Sequence, residues 1–201
     1  MGARKIGKIA ADVAHAAGAV APAANDEAGP DEYYDPGLVP RSTMAYESRG
    51  AVIQSPEILN EAGDKVNCLV RGRTYRYRYA VRFEEGAAGV RFGMLVKTLQ
   101  GLELGGAATS SNPEDAIVFV AAGSVVQVEF RFRCALNPGT YFMNAGALGR
   151  RGAEEIFLHR VLDLFAFRVL PVKGGIATGI VDLSVEPSFA IAAGTAPQET
   201  G

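Results

Sequence analysis

Residues 74–106 read TYRYRYAVRF (74–83), EEGAAG (84–89) and VRFGMLVKTLQGLELGG (90–106). In the first segment Tyr75, Tyr77, Tyr79, Val81 and Phe83 share one parity, while Arg76, Arg78 and Arg82 share the other. A period of two marks a half-buried strand. Glu84 to Gly89 supplies turn chemistry, and Val90, Phe92, Met94 and Val96 then alternate against Arg91 and Lys97. The pattern predicts a long hairpin with one apolar and one cationic face, extended into a meander through the turn at Gln100-Gly101.

Working outward, the same signals recur. Ala51 to Ile58 reads as a strand interrupted at Ser55-Pro56, as suits an edge or a bulge. Val66 to Val70 leads into the central pair, and Ala116 to Val120 is a short apolar strand. In the segment 124–134, Val126, Val128, Phe130, Phe132 and Cys134 oppose Gln127, Glu129, Arg131 and Arg133. Leu136-Asn137-Pro138-Gly139 is a turn, because proline presets one backbone angle and glycine accepts a positive one. Tyr141 to Leu148 is the returning strand, Gly149 to Glu155 a charged loop, Val161 to Val169 a further strand or strand pair and Ile180 to Val185 the last. Many short strands at regular spacing predict an all-β fold, an antiparallel β-sandwich of two sheets. Phe92, Met94 and Val96 are expected in its core, together with Val126, Val128, Phe130 and Phe132.

The first forty residues differ in composition. Lys5 to Val20 is alanine-rich and predicts a short helix with a thin apolar face, and Pro22 to Pro40 has the composition of a linker. The expected organisation is an arm over 1–40, partly helical or disordered, a sandwich over 41–190 and a disordered tail over 191–201.

The chain has 201 residues, a formal net charge of -2 and two cysteines. That balance gives no pull toward nucleic acid or anionic lipid. No apolar run is long enough to span a bilayer, and Asp12 and His15 interrupt the segment where a secretory signal would be continuously apolar. A cytoplasmic protein with Cys68 and Cys134 as buried free thiols is therefore expected.

Most candidate chemistry is weak. Gly2 to Lys8, GARKIGK, has phosphate-loop spacing, but Ile9 stands where a magnesium-holding Ser or Thr belongs and no strand precedes it. His15 and His159 are far apart, and no cluster has metal-ligand spacing, so neither a metal nor a cofactor is expected. Asp163 beside His159 reads as structural, and Ser110 and Ser111 lie in no nucleophile elbow. The cationic parity carries more information. If their strands share a sheet, Arg76, Arg78, Arg91, Arg131 and Arg133, with Glu129 as an acceptor among them, line one surface able to donate hydrogen bonds to the hydroxyls or carboxylates of a glycan. The same residues also fit a merely solvated face. Should the stripe carry no sugar, the opposite sheet or the loop Thr109–Asn112 is the remaining location. Tryptophan is absent, and Tyr75, Tyr77 and Tyr79 fall on the buried parity.

FGMLVKTLQGLELGGAATSS (92–111) and VVQVEFRFRCALNPGTYFMNAGAL (125–148) resemble the C-terminal domain of the ATP-binding subunits of O-antigen polysaccharide exporters, the Wzt C-terminal domain family. The matching elements are the Phe92-Gly93 strand, Gly106 and Thr109, then Leu136, Gly139 and Tyr141, and the closing Gly179 to Leu183. The resemblance covers about 48–183, and its motifs are mainly turns and core positions. It implies an immunoglobulin-like sandwich without catalytic activity that recognises an undecaprenyl-linked polysaccharide on the cytoplasmic side and delivers it to an ABC exporter. It also implies a homodimer that exchanges the terminal strand, held at the inner membrane only through the transporter. The ATPase domain that precedes the module in that family is not in this sequence, so ATP coupling in cis is not expected. The alternative is a structural or protein-interaction sandwich that binds no sugar.

Overall fold

A computed structural model describes residues 31–172 and 178–190. The expected N-terminal helix, the phosphate-loop-like segment, His15 and the 191–201 tail lie outside them. The elements are β1 (Met44–Ala45), β2 (Ala51–Leu59), β3 (Lys65–Val66), β4 (Cys68–Leu69), β5 (Thr74–Phe83), β6 (Ala87–Thr98), β7 (Glu103–Ala108), β8 (Ile117–Val120), β9 (Val125–Arg133), β10 (Gly139–Arg151) and β11 (Glu154–Val169). One sheet has the order β1-β11-β10-β6-β7, with β4 added in parallel to β11 and β8 added to β6. The other has the order β3-β2-β5-β9. The two sheets face each other, as the alternation requires.

The central pair departs from expectation. β5 and β6 do not form a hairpin: β5 pairs with β2 and β9, whereas β6 pairs with β10, β7 and β8. The 84–86 turn carries the chain across the rim from one sheet to the other, and the two apolar faces meet across the interior. Phe83 packs edge-on against Phe92 with ring centroids 6.4 Å apart. The Tyr79 hydroxyl crosses the interior and donates its one proton to the Gly93 carbonyl at 2.9 Å, shared with the Gly146 carbonyl at 3.2 Å.

The charged stretch expected as a loop is a hairpin instead. Arg150 faces Glu155 and Arg151 faces Glu154 across the β10–β11 ladder, where opposite charges favour pairing. The expected last strand contributes a single bridge, Val181 to Leu136. The interruption of β2 is a bulge, with a register shift between Gln54 and Glu57 and Ser55 at φ 52°.

Tyr75, Tyr77, Tyr79, Phe83 and Phe167 are fully buried. Phe92 and Val128 join them, but Met94, Val96, Val126, Phe130 and Phe132 are only half-buried. Met94, Val96, Phe130 and Phe132 lie where β9 of one sheet and β7 of the other diverge with no strand between them, so residues of inward parity line an open groove, while Val126 borders a separate depression beside Thr109. Cys68 and Cys134 are buried free thiols, and burial raises the pKa of Cys134.

Residues 31–40, expected as the end of the linker, pack on the sandwich. Tyr33 bridges Cys68, and the buried Asn67 side chain accepts from the Asp35 N–H at 2.7 Å and donates to its carbonyl at 2.8 Å. Glu32 accepts from Arg73 and from the Tyr75 hydroxyl.

His159 and Asp163 are not a pair. His159 Nδ1 accepts the Ile53 N–H at 2.9 Å, tying β11 to β2. Asp163 sits in a bulge of β11 at φ 51°, accepts from Ser42 and pairs with Lys97 at 2.6 Å. Burial lowers the pKa of His159, against a smaller raising effect from a backbone bond to Tyr46. In the unfolded chain the imidazole titrates at about 6.5, so below that pH the unfolded state binds more protons. Its contribution to stability is complete above that pH and is lost as pH falls toward the depressed folded value. The melting temperature is expected to fall between pH 7 and pH 5.5, and His159→Gln is expected to flatten that slope; an unchanged slope would exclude His159 as its origin.

Candidate functional site

The β5–β9 register places Arg76 beside Arg131, Arg78 beside Glu129 and Thr74 beside Arg133. Arg76, Arg78, Glu129, Arg131 and Arg133 thus share the outer face of the smaller sheet. Arg78 Nε meets Glu129 at 2.8 Å, and Arg76 lies 3.8 Å from the same carboxylate while donating to the Asn60 carbonyl. Arg131 meets Glu61 at 3.0 Å, and Arg133 donates to the Gly72 carbonyl at 3.1 Å. Each guanidinium is already engaged, through exposed contacts of the kind worth about 0–1 kcal/mol.

Arg91 is not brought to this surface. Because β6 belongs to the larger sheet, Arg91 lies on the opposite side of the molecule, where its guanidinium grips both oxygens of Glu155. That hydrogen bond raises the pKa of Arg91 and lowers that of Glu155. Lys97 on the same strand is held by Asp163. In the loop that follows β7, Thr109 is a fastening residue whose hydroxyl accepts the Phe92 N–H at 3.0 Å.

Two concave regions were not foreseen. The groove between β7 and β9 has a volume near 330 Å³ and an apolar lining that includes Met94, Leu104, Phe130, Phe132 and Val181. The outer face of the larger sheet carries a depression where Gly93 of β6 and Gly146 of β10 lie side by side in register. Phe157 and Arg160 form its wall and are shared with a wider groove of about 440 Å³ beside Tyr46. The available sequence signal was a glycine at the outward parity of two strand interiors, which marks bare backbone that another group can approach.

Among the described residues, no group of three or more His, Cys, Asp or Glu could hold a metal ion. No helix among them is long and apolar enough to cross a membrane.

A profile described as the Wzt C-terminal domain matches residues 42–183. A solved structure, the crystal structure of the C-terminal domain of wzt, is similar with a TM-score of 0.65 and 23% identity, covering 80% of this chain and 93% of that one. No curated protein matches.

Proposed function

Because the chain belongs to the Wzt C-terminal domain family, we propose that it is a noncatalytic carbohydrate-binding module that recognises an O-antigen-type, undecaprenyl-linked polysaccharide for export by an ABC transporter. The observation that carries this reading is the family match across the sandwich, from residue 42 to residue 183. The module acts on the cytoplasmic side, peripheral to the inner membrane and joined to it through exporter subunits. Calorimetry of the full chain with polysaccharide from the cell that makes it is expected to show saturable, modest affinity, since each sugar hydroxyl must displace water from its donor. No heat of binding, with the exporter subunits also failing to bind, would favour a protein-interaction sandwich, the reading to which the open apolar groove points.

The stripe on the smaller sheet is proposed as one contact surface for the glycan. Its guanidiniums must exchange carboxylate or carbonyl partners for sugar oxygens, so the combined Arg78→Ala and Arg131→Ala change is expected to weaken polysaccharide binding only a few-fold. The melting temperature should stay within a few degrees, as exposed substitutions usually cost under about 0.5 kcal/mol. Unchanged affinity would return the stripe to a solvated face.

The module is further proposed to be a homodimer. Its tail bridges Val181 to Leu136, and the Asp182 N–H donates to the Ala135 carbonyl. Ser184, at φ 54°, turns the chain away and leaves Leu183, Val185 and Phe189 exposed. Continued in the same register, a tail would place Leu183 opposite Cys134 and Val185 opposite Phe132, putting apolar side chains into the groove beside β9. A tail supplied by a second copy fits that edge as a strand. Light scattering is expected to give a dimer, and a chain ending at Asp182 a monomer. A full chain that stays monomeric at high micromolar concentration would refute the exchange.

A further inference from the structure

We propose that the outer face of the larger sheet holds a binding site for a sugar ring bearing a carboxylate, with Gly93 and Gly146 as its floor, Phe157 as its stacking surface and Arg160 as its anion partner. This rests on the carbohydrate-binding reading and adds to it a location and a ligand chemistry. The floor is shallow because paired residues on neighbouring strands both lack a side chain; Gly93 is partly exposed, and Gly146 is buried with the Phe157 ring against it. A Cβ at Gly146 would come within 3.2 Å of the Phe157 ring, so glycine there both opens the depression and seats the aromatic wall. From beneath, the Tyr79 hydroxyl donates to the Gly93 carbonyl at 2.9 Å, with the Gly146 carbonyl sharing the same proton at 3.2 Å, and ties the floor to the other sheet before any ligand arrives.

Phe157 is 42% exposed although it stands in a strand, so part of its ring, beyond the area shared with Arg160 and Gly146, is open to the apolar side of a pyranose. The Arg160 guanidinium lies 5.2 Å from the Phe157 centroid and 5.8 Å from that of Tyr46. Tyr46 is itself held there, since its N–H donates to the Arg160 carbonyl at 2.9 Å. Stacked in this way, a guanidinium keeps its edge N–H groups for a planar acceptor such as a carboxylate. Among the described residues Arg160 has no carboxylate within ion-pairing distance, unlike Arg78 and Arg131 on the opposite face. Asn144 adds a second donor, because its carbonyl oxygen is taken by the Asp163 N–H while its amide NH2 has no protein partner among the described residues.

Charge selects the ligand. The wider groove is also lined by Arg49, Glu47 and Glu155, and Glu155 is neutralised by Arg91. Arg49 and Arg160 then face a single uncommitted carboxylate, an excess that favours an acidic over a neutral sugar.

The test is an amide chemical-shift titration of the full chain with sodium glucuronate and, separately, glucose. Glucuronate is expected to shift Gly93, Gly146, Phe157 and Arg160 and to bind several-fold more tightly than glucose. Arg160→Ala is expected to weaken it at least tenfold with the rest of the spectrum unchanged, and Phe157→Leu to weaken both sugars. Absence of any shift, shifts confined to the Arg78–Arg131 face, or an Arg160→Ala variant of unaltered affinity would each overturn the site. If the cell's polysaccharide binds wild type and the Arg160→Ala, Phe157→Leu double variant equally, this site fails while the module reading stands. If wild type binds no polysaccharide, both fail.

Discussion

A chain beginning at Arg41 is expected to melt well below one beginning at Asp31. Residues 31–40 fill both hydrogen-bonding halves of the Asn67 amide, which is 1% exposed, and cover Cys68 through the Tyr33 bridge. Their removal strands a buried amide and frees the Tyr75 hydroxyl from Glu32. Groups left without partners cost about 1–3 kcal/mol each, so a loss of roughly 2–4 kcal/mol is expected after partial rehydration. At about 2–4 °C per kcal/mol for a domain of this size, that is a fall of roughly 5–15 °C. Thermal melts of the two truncations compare like with like, because both lack the segment before Asp31. Coincident transitions would show that 31–40 contributes nothing to the fold.

Tyr77→Phe and Tyr79→Phe are expected to act in opposite directions, although the two residues are neighbours on one face of β5 and both rings are fully buried. The Tyr79 hydroxyl joins the sheets through a buried hydrogen bond to the Gly93 carbonyl, shared with that of Gly146, so its deletion is expected to cost about 1–3 kcal/mol. The Tyr77 hydroxyl is buried without a hydrogen-bond partner, and burial pushes its pKa far upward. Removing an unsatisfied polar atom while keeping the ring and its 5.6 Å contact to Tyr79 is expected to leave stability unchanged or raise it by about 1 kcal/mol. Denaturant melts of the two single variants decide the matter. A fall on Tyr77→Phe as large as that on Tyr79→Phe would mean that the Tyr77 hydroxyl is bonded in solution.

Much of this arrangement is legible in single strands. The parity of Tyr75, Tyr77 and Tyr79 against Arg76 and Arg78 determined which side chains face inward, and the structure buries the tyrosines completely. The turn at Gln100-Gly101 and the bulge at Ser55-Pro56 were equally local, since glycine and proline restrict or release backbone angles at those points. The family was readable because the segments 92–111 and 125–148 resemble its turn and core elements. Partnership between strands was not. β5 and β6 are both amphipathic, so pairing them edge to edge or stacking them face to face buries the same residues, and alternation along one strand does not distinguish the two. The choice is made by the competing edges of β2, β9 and β10, which lie elsewhere in the chain and pair with β5 and β6 instead. That single decision put Arg91 on the opposite side of the molecule from Arg78. The groove wall has the same origin: Gly93 and Gly146 are 53 positions apart in the chain, and only the β6–β10 register makes one floor of them. The sequence by itself determined which faces are apolar, where the chain turns and to which family it belongs. Which side chains share a surface was decided by the tertiary structure, because strand pairing minimises the free energy of the whole sandwich rather than of any one segment.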